Sequence, residues 1–481
     1  MYEFLIGTLL SLAVARCAYL LVYRLSRSPL AKFPGPKLCA ITRLPFAFYT
    51  WNGEIASWTH ELHLKYGDVV RVAPDELSYS SADAWRDIYS NKSMVRDPRF
   101  YGETDNGVQE ILRGDNINHA RFRRGFTHAF SERSIKAQEP LVGQHVDHIV
   151  KKLAAVDDQS IDLVSLFNLA TFDIMSDLTF GESLGLLHNS KYHYWVETTS
   201  SVIKALNVTR FTRWYPWASF LAIAFIPRGL LQQMSDNFKQ CSERVDKRLA
   251  AKTSRPDIWG LIMSQPGERQ FSVQEMYANS QTLMLAGGET SATLLSGLFY
   301  HLLKNPEKLQ KLTEELRNTF SKEEEITLTA LPHLKYLQAS IEEGMRLFPP
   351  VPVGLPRVVP EGGATICGEV VPGKTIVSVS GLAAPLSPRN FKNPESFIPE
   401  RWMKNSEYDG DIKAASQPFS VGQRNCIGKN LAYHEMRVIA AKMLWNFDFE
   451  LSKQSQDWDS NLKVWGVWEK PPLNVKVNQR R

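Results

Sequence analysis

The residues with the most chemistry in them sit near the C-terminal end of the chain. Phe419, Gly422, Arg424, Cys426 and Gly428 stand at fixed intervals in FSVGQRNCIG, just before a helical pattern that runs to residue 447. A thiolate that ligates a metal or a metal-bearing cofactor needs a rigid loop, with glycine where the chain turns tightly or must let a flat group approach. Gly422 suits the turn and Gly428 the approach. The helix behind Cys426 favours thiolate over thiol through its first amides and its dipole, and Arg424 can neutralise a carboxylate on the bound group. Most free cysteines are structural thiols. That reading fits Cys17, Cys39, Cys241 and Cys367, which are scattered and form no CxxC pair, but the spacing around Cys426 argues against it there.

A second constellation is Ala286-Gly287-Gly288-Glu289-Thr290, inside a helical pattern spanning residues 276–303. Each mid-helix glycine costs about 1 kcal/mol against alanine, so the pair implies that space is needed beside the helix. A threonine bonded to its own helix is the plain alternative for Thr290. His119 and Arg123, four residues apart, share a helical face suited to gripping one carboxylate. Glu343 and Arg346 taken alone would be an ordinary surface pair three residues apart.

These motifs, in this order, resemble the cytochrome P-450 superfamily of haem-thiolate monooxygenases over essentially the whole chain. The resemblance implies haem b with Cys426 as axial iron ligand, in a loop that includes Phe419, Arg424 and Gly428. It makes Glu343, Arg346 and Arg401 of FIPERW a structural network. AGGET resembles the oxygen-activation motif, with Gly287 beside the oxygen groove, Thr290 holding the hydrogen-bond network and Glu289 helping to relay protons. His119, Arg123 and Arg357 correspond to partners of the haem propionates, His119 standing where many members carry tryptophan. AGGETSATLLSGLFYHLLKNP is most similar to fungal members that act on secondary metabolites, such as terpenoids, polyketides or alkaloids. The implied reaction places one atom of dioxygen in a lipophilic small molecule, by hydroxylation or epoxidation. The rival readings are a haem-thiolate isomerase or lyase and a non-catalytic haem-binding protein.

The elements that must position these residues are mostly helical. Helical patterns occupy 58–66, 119–130, 141–153 and 164–180, while strand-like runs gather at 68–72 and 364–380. No Gly-, Ser- or Pro-rich linker divides the chain after residue 40, so the expected fold is one large, mainly α domain with a small β-sheet region. The composition, 43% hydrophobic and 22% charged, is that of an ordered globular protein. With 56 Lys and Arg against 51 Asp and Glu, the balance gives no reason to expect nucleic acid.

Residues 4–23 are apolar enough, and long enough, for a transmembrane helix, despite Arg16 within them. A cleaved signal peptide is disfavoured, since Glu3 stands where a basic segment should be. Arg24, Arg27, Lys32 and Lys37 follow the span, which predicts a single-pass anchor over 1–23 in the endoplasmic reticulum membrane, a basic, proline-rich hinge over 24–37 and a cytosolic catalytic domain over 38–481. The sequons at Asn91 and Asn207 are then chance matches. Residues 211–225 form an aromatic, apolar stretch placed where the family has its substrate lid, suggesting access from the membrane. No nucleotide-binding fingerprint is present, so electrons from NADPH are expected through a separate flavoprotein reductase. Arg121, Arg124, Arg133, Lys136 and Lys429 offer it a basic docking face, with a merely solvated helix face as the alternative.

Overall fold

A computed structural model of the chain describes residues 2–156, 160–189, 201, 203–204, 207, 210–215, 228–251, 255–265, 271–404 and 406–480. Its axis is the long helix Val273–Lys304, whose start is fixed by a capping box between Ser272 and Glu275 that satisfies otherwise free terminal amides. Against it lies Leu163–Phe180, buried along its whole length. That helix is long and apolar enough to cross a bilayer, but 94% of it is packed inside the protein, so it is a core element. The two helices approach closely because Gly287 and Gly288 have no side chains. A Cβ on Gly287 would run into Met175, and one on Gly288 would lie 2.9 Å from Phe172. The space implied by the glycine pair is therefore filled in part by a neighbouring helix.

Glu132–Ala154, Arg228–Ala250, Lys335–Leu347 and Lys429–Asn446 pack on this pair, and Asn116–Ala129 packs on Glu132–Ala154. The apolar pattern places a helix over 141–153. The helix instead begins at Glu132 and carries Pro140 inside it, because the Ser131 hydroxyl caps an earlier first turn and Ile135 and Gln138 are buried before the proline.

The main sheet has five strands in the order Val69–Ala73, Glu76–Tyr79, Ile376–Val379, Arg357–Val358, Val95–Arg96. Its pairings are antiparallel except that Glu76–Tyr79 runs parallel to Ile376–Val379, with Glu76 opposite Ile376. A three-stranded sheet joins Ser160–Asp162, Asn474–Gln479 and Phe447–Leu451.

Glu343, Arg346 and Arg401 are completely buried. Arg346 donates to both carboxylate oxygens of Glu343 at 2.8 Å, and Arg401 Nε and Trp402 Nε1 each donate at 2.9 Å. The remaining guanidinium protons go to Asp411 and to backbone carbonyls, among them Pro385 and Ser396. Burial would raise the Glu343 pKa, but the two arginines hold it below the ordinary range. These are internal ionic groups, not a surface pair.

The chain starts with the helix Tyr2–Val22 and a π-turn, Tyr23–Arg27. The segment expected to be a hinge is docked on the body. Leu30 and Phe33 are buried, Arg71 N donates to the Pro34 carbonyl at 2.7 Å, and the Arg71 guanidinium donates to the Arg24 carbonyl at 2.9 Å.

Candidate active site

A cavity of about 310 Å³ lies between the long helix and the cysteine loop, within the roughly 300–1,000 Å³ of an ordinary small-molecule pocket. Cys426, Gly428, Phe419, Gly287 and Thr290 line it. The loop is closed by the Cys426 amide donating to the Phe419 carbonyl at 2.9 Å. It turns at Gly422, where φ is +76° and a Cβ would collide with the Tyr89 backbone. At Gly428 a Cβ would stand 3.9 Å from the Cys426 sulfur, so the bare backbone keeps that face open. The sulfur lies deep in the protein body but faces the cavity. Burial raises the thiol pKa, while the Gly428 amide, Arg123 and Lys429 oppose the rise.

At the cavity's rim stands a cluster of cations with no carboxylate in ion-pair contact among the described residues. Arg96 Nε, Arg357 Nε and Arg424 Nη1 are buried and have no hydrogen-bond partner among the described residues. Arg424 is otherwise held by the Gly114 carbonyl at 2.8 Å, and Arg357 by the Met94 carbonyl at 3.2 Å. Burial, then the charges of Arg424, Arg96, Arg123 and Arg357, depress the buried His119 imidazole to about 3, so it is neutral at physiological pH. Unpaired buried guanidinium nitrogens are costly, and here they call for an anionic group with more than one charge. A flat cofactor with two carboxylates fits the open sulfur, the bare Gly428 and this cluster together.

A sequence profile described as cytochrome P-450 matches residues 34–477. The chain belongs to the cytochrome P-450 family. It is 46% identical over 469 residues to cytochrome P-450 monooxygenase efuB of Hormonema carpetanum, covering 95% of this chain and 93% of that one. It is 44% identical to cytochrome P-450 monooxygenase FUM2 of Gibberella moniliformis (94% and 98% covered) and 42% identical to averantin hydroxylase of Dothistroma septosporum (95% and 88% covered). As a P-450 monooxygenase the protein uses haem b with a cysteine thiolate on iron, receives electrons from a reductase and acts on a lipophilic substrate. When bound, the haem supplies the activation of dioxygen; the thiolate's electron donation favours O–O cleavage.

The expected site residues of this P-450 are not all where the spacing suggested. Arg123 donates through both terminal nitrogens to Asn425, at its backbone and side-chain oxygens. It braces the residue before Cys426 and has no nitrogen among the unpartnered ones. Thr290 lines the cavity, with its hydroxyl donated to the Ala286 carbonyl at 2.5 Å, which leaves its oxygen lone pairs to accept. Glu289 does not line the cavity. Its carboxylate is bound by Lys470, which also donates to Thr293 Oγ1 at 2.7 Å. The proton relay expected of Glu289 is not formed in this arrangement, because Lys470 holds the acid outside the cavity. Arg121 pairs with Glu275 of the capping box, which removes it from the expected docking face, whereas Arg133, Lys136 and Lys429 line one surface cleft.

Three functional candidates went unnoticed in the sequence. Arg96 lies in a two-residue strand with no motif around it. Lys470 reaches Glu289 from the far end of the chain. Glu435 is the acid that does face the cavity: it is buried, accepts from Ser291 Oγ at 3.0 Å, and its Oε1 has no partner among the described residues. Its signal was present as a lone acid in an otherwise apolar face nine residues after Cys426.

Proposed function

We propose that this P-450 hydroxylates or epoxidises a lipophilic intermediate of fungal secondary metabolism, with Cys426 as the iron ligand. The observation that carries the assignment is the cavity itself: the Cys426 sulfur and the Thr290 hydroxyl open into one largely apolar space, with unpartnered arginine nitrogens at its rim. Arg96, Arg357 and Arg424 hold the propionates, Phe419 and Gly428 shape the thiolate's surroundings, and Arg123 fixes the loop through Asn425. Thr290 accepts and passes a proton next to the reacting oxygen, and Glu435, which accepts from Ser291 Oγ, is the acid that faces the same cavity.

Membrane attachment belongs to this proposal. The helix Tyr2–Val22 is the anchor, and Leu38, Leu44, Phe48 and Trp51 expose apolar side chains in the helices that follow it. Of the aromatic stretch expected as a lid, residues 216–225 lie outside the described residues. Asn207, the residue of one sequon, is buried and bonded, in keeping with an unglycosylated, cytosol-facing body. The relatives, two named as monooxygenases and one as a hydroxylase, support oxygen insertion over isomerisation.

The test is the absorption difference spectrum of reduced membranes with and without carbon monoxide, on wild type and Cys426→Ala. A strongly red-shifted Soret band lost in the variant is the expected result. Folded, haem-loaded wild type without that band would overturn the ligand assignment.

A further inference from the structure

Thr171, in the helix Leu163–Phe180, is completely buried, and its hydroxyl reaches across to the long helix to donate to the Gly288 carbonyl at 2.8 Å. A hydroxyl has one hydrogen, and the Phe167 carbonyl one turn back, at 2.9 Å, competes for it. Bonding back within its own helix is open to any helical threonine. The bond to Gly288 needs the glycine pair, which lets the two helices close up: a Cβ on Gly288 would stand 2.9 Å from Phe172. Met175, one turn further on, lies against Gly287 and lines the Cys426 cavity. The helix Leu163–Phe180 therefore holds the segment Ala286–Thr290 at two successive residues and reaches the cavity beside Gly287.

Two carbonyls within that segment accept from a side-chain hydroxyl. Ala286 accepts from Thr290 at 2.5 Å, and Gly288 accepts from Thr171. A donor of this kind draws a carbonyl out from the helix axis, weakens its own helical bond and bends the helix there. The two pulls act on different faces. Thr290 lines the cavity, whereas Gly288 does not and is packed against Phe172 of the neighbouring helix. With glycine at 287 and 288 the backbone between the two carbonyls offers little resistance. The direction of the Thr290 hydroxyl is thus set from behind, by the group that holds the Gly288 carbonyl.

We propose that Thr171 is a positioning residue for oxygen insertion: by holding the Gly288 carbonyl it fixes the bend of the long helix, and with it the direction in which the Thr290 hydroxyl faces the iron's open position. This assignment rests on the monooxygenase reading above.

The experiment uses purified, reduced holoenzyme with carbon monoxide as the probe and records its infrared C–O stretch, which moves with the polar groups beside the bound molecule. Thr290→Ala sets the displacement caused by loss of that hydroxyl. Thr171→Val, branched like threonine but without a donor, is expected to displace the band, and Thr171→Ser to return it to the wild-type position. Combined with Thr290→Ala, Thr171→Val should add nothing, because Thr171 acts through Thr290. Should the valine variant not fold, Thr171→Cys, a weak donor of similar size, takes its place with the same expectations. A merely structural threonine would lower the unfolding midpoint in Thr171→Val and leave the band unmoved, and that result would overturn the proposal. So would a further displacement in the double variant, or a band that Thr171→Ser fails to restore. A failure of the haem-thiolate reading shows as a wild type without the red-shifted Soret band, whereas a failure of the Thr171 assignment shows with that band intact.

Discussion

Lys470 binds the carboxylate of Glu289 on a flank of the long helix outside the Cys426 cavity, and both side chains are nearly buried. Removing one member of a buried pair strands the other charge, at about 3–5 kcal/mol. Lys470→Met should therefore lower the midpoint of thermal unfolding markedly, and the double variant with Glu289→Gln should recover much of the loss. Equal destabilisation in the single and double variants would show that Lys470 acts through packing alone.

Thr290→Ala keeps the cavity's shape and removes its hydroxyl. Positioned proton transfer contributes about 10²–10⁴-fold, and one hydroxyl among several donors accounts for part of that. The expected outcome is a several-fold fall in product formed per NADPH consumed, with haem content and the carbon monoxide band retained. Product and NADPH assayed on one sample read this coupling directly.

Arg96 should matter to haem retention although no motif marks it. A hydrogen bond to a charged group contributes about 1.5–3 kcal/mol, so Arg96→Ala should release haem roughly 10- to 100-fold faster. Transfer of haem to an excess of an apo acceptor protein measures the rate. Arg123→Ala should act differently, by loosening the Asn425–Cys426 loop, and so weaken the carbon monoxide band itself.

Burial raises the Glu435 carboxyl from 4.5 to about 8. The unfolded chain gives up this proton first, so the folded state loses stability as pH rises from about 4.5 towards 8, and gains nothing further below 4.5. Glu435→Gln preserves an acceptor for Ser291 and cannot ionise. It should be more stable than wild type near pH 8 by roughly 1–3 kcal/mol, the scale of an unsatisfied buried group, and indistinguishable from it near pH 5. Thermal melts across that range provide the comparison.

The cysteine loop was legible because ligation restricts residue type at several neighbouring positions, and a local requirement leaves a local pattern. The buried Glu343–Arg346–Arg401 network was legible for the same reason, through two short motifs in order. Helix positions followed the apolar period, and the early start at Glu132 escaped it because the cap at Ser131 sets the first turn ahead of the apolar run. What sequence reading missed was brought in by distant contacts. The direction of Glu289 depends on Lys470, 181 positions away, and the task of Arg123 depends on Asn425, 302 positions away. Arg96 is defined by the partner its Nε lacks among the described residues, and a missing partner leaves no trace in a linear pattern.

The parallel pairing of Glu76–Tyr79 with Ile376–Val379 bears on how the chain is made. A strand synthesised early waits for one that leaves the ribosome much later, and loop closure over such a separation is slow to find. Until then the edge of Glu76–Tyr79 away from Val69–Ala73 has no neighbour. The cysteine loop emerges later still. Cofactor capture is thus a closing event of biogenesis, and a nascent chain truncated before residue 376 should neither retain haem nor escape the chaperones that shield open strand edges.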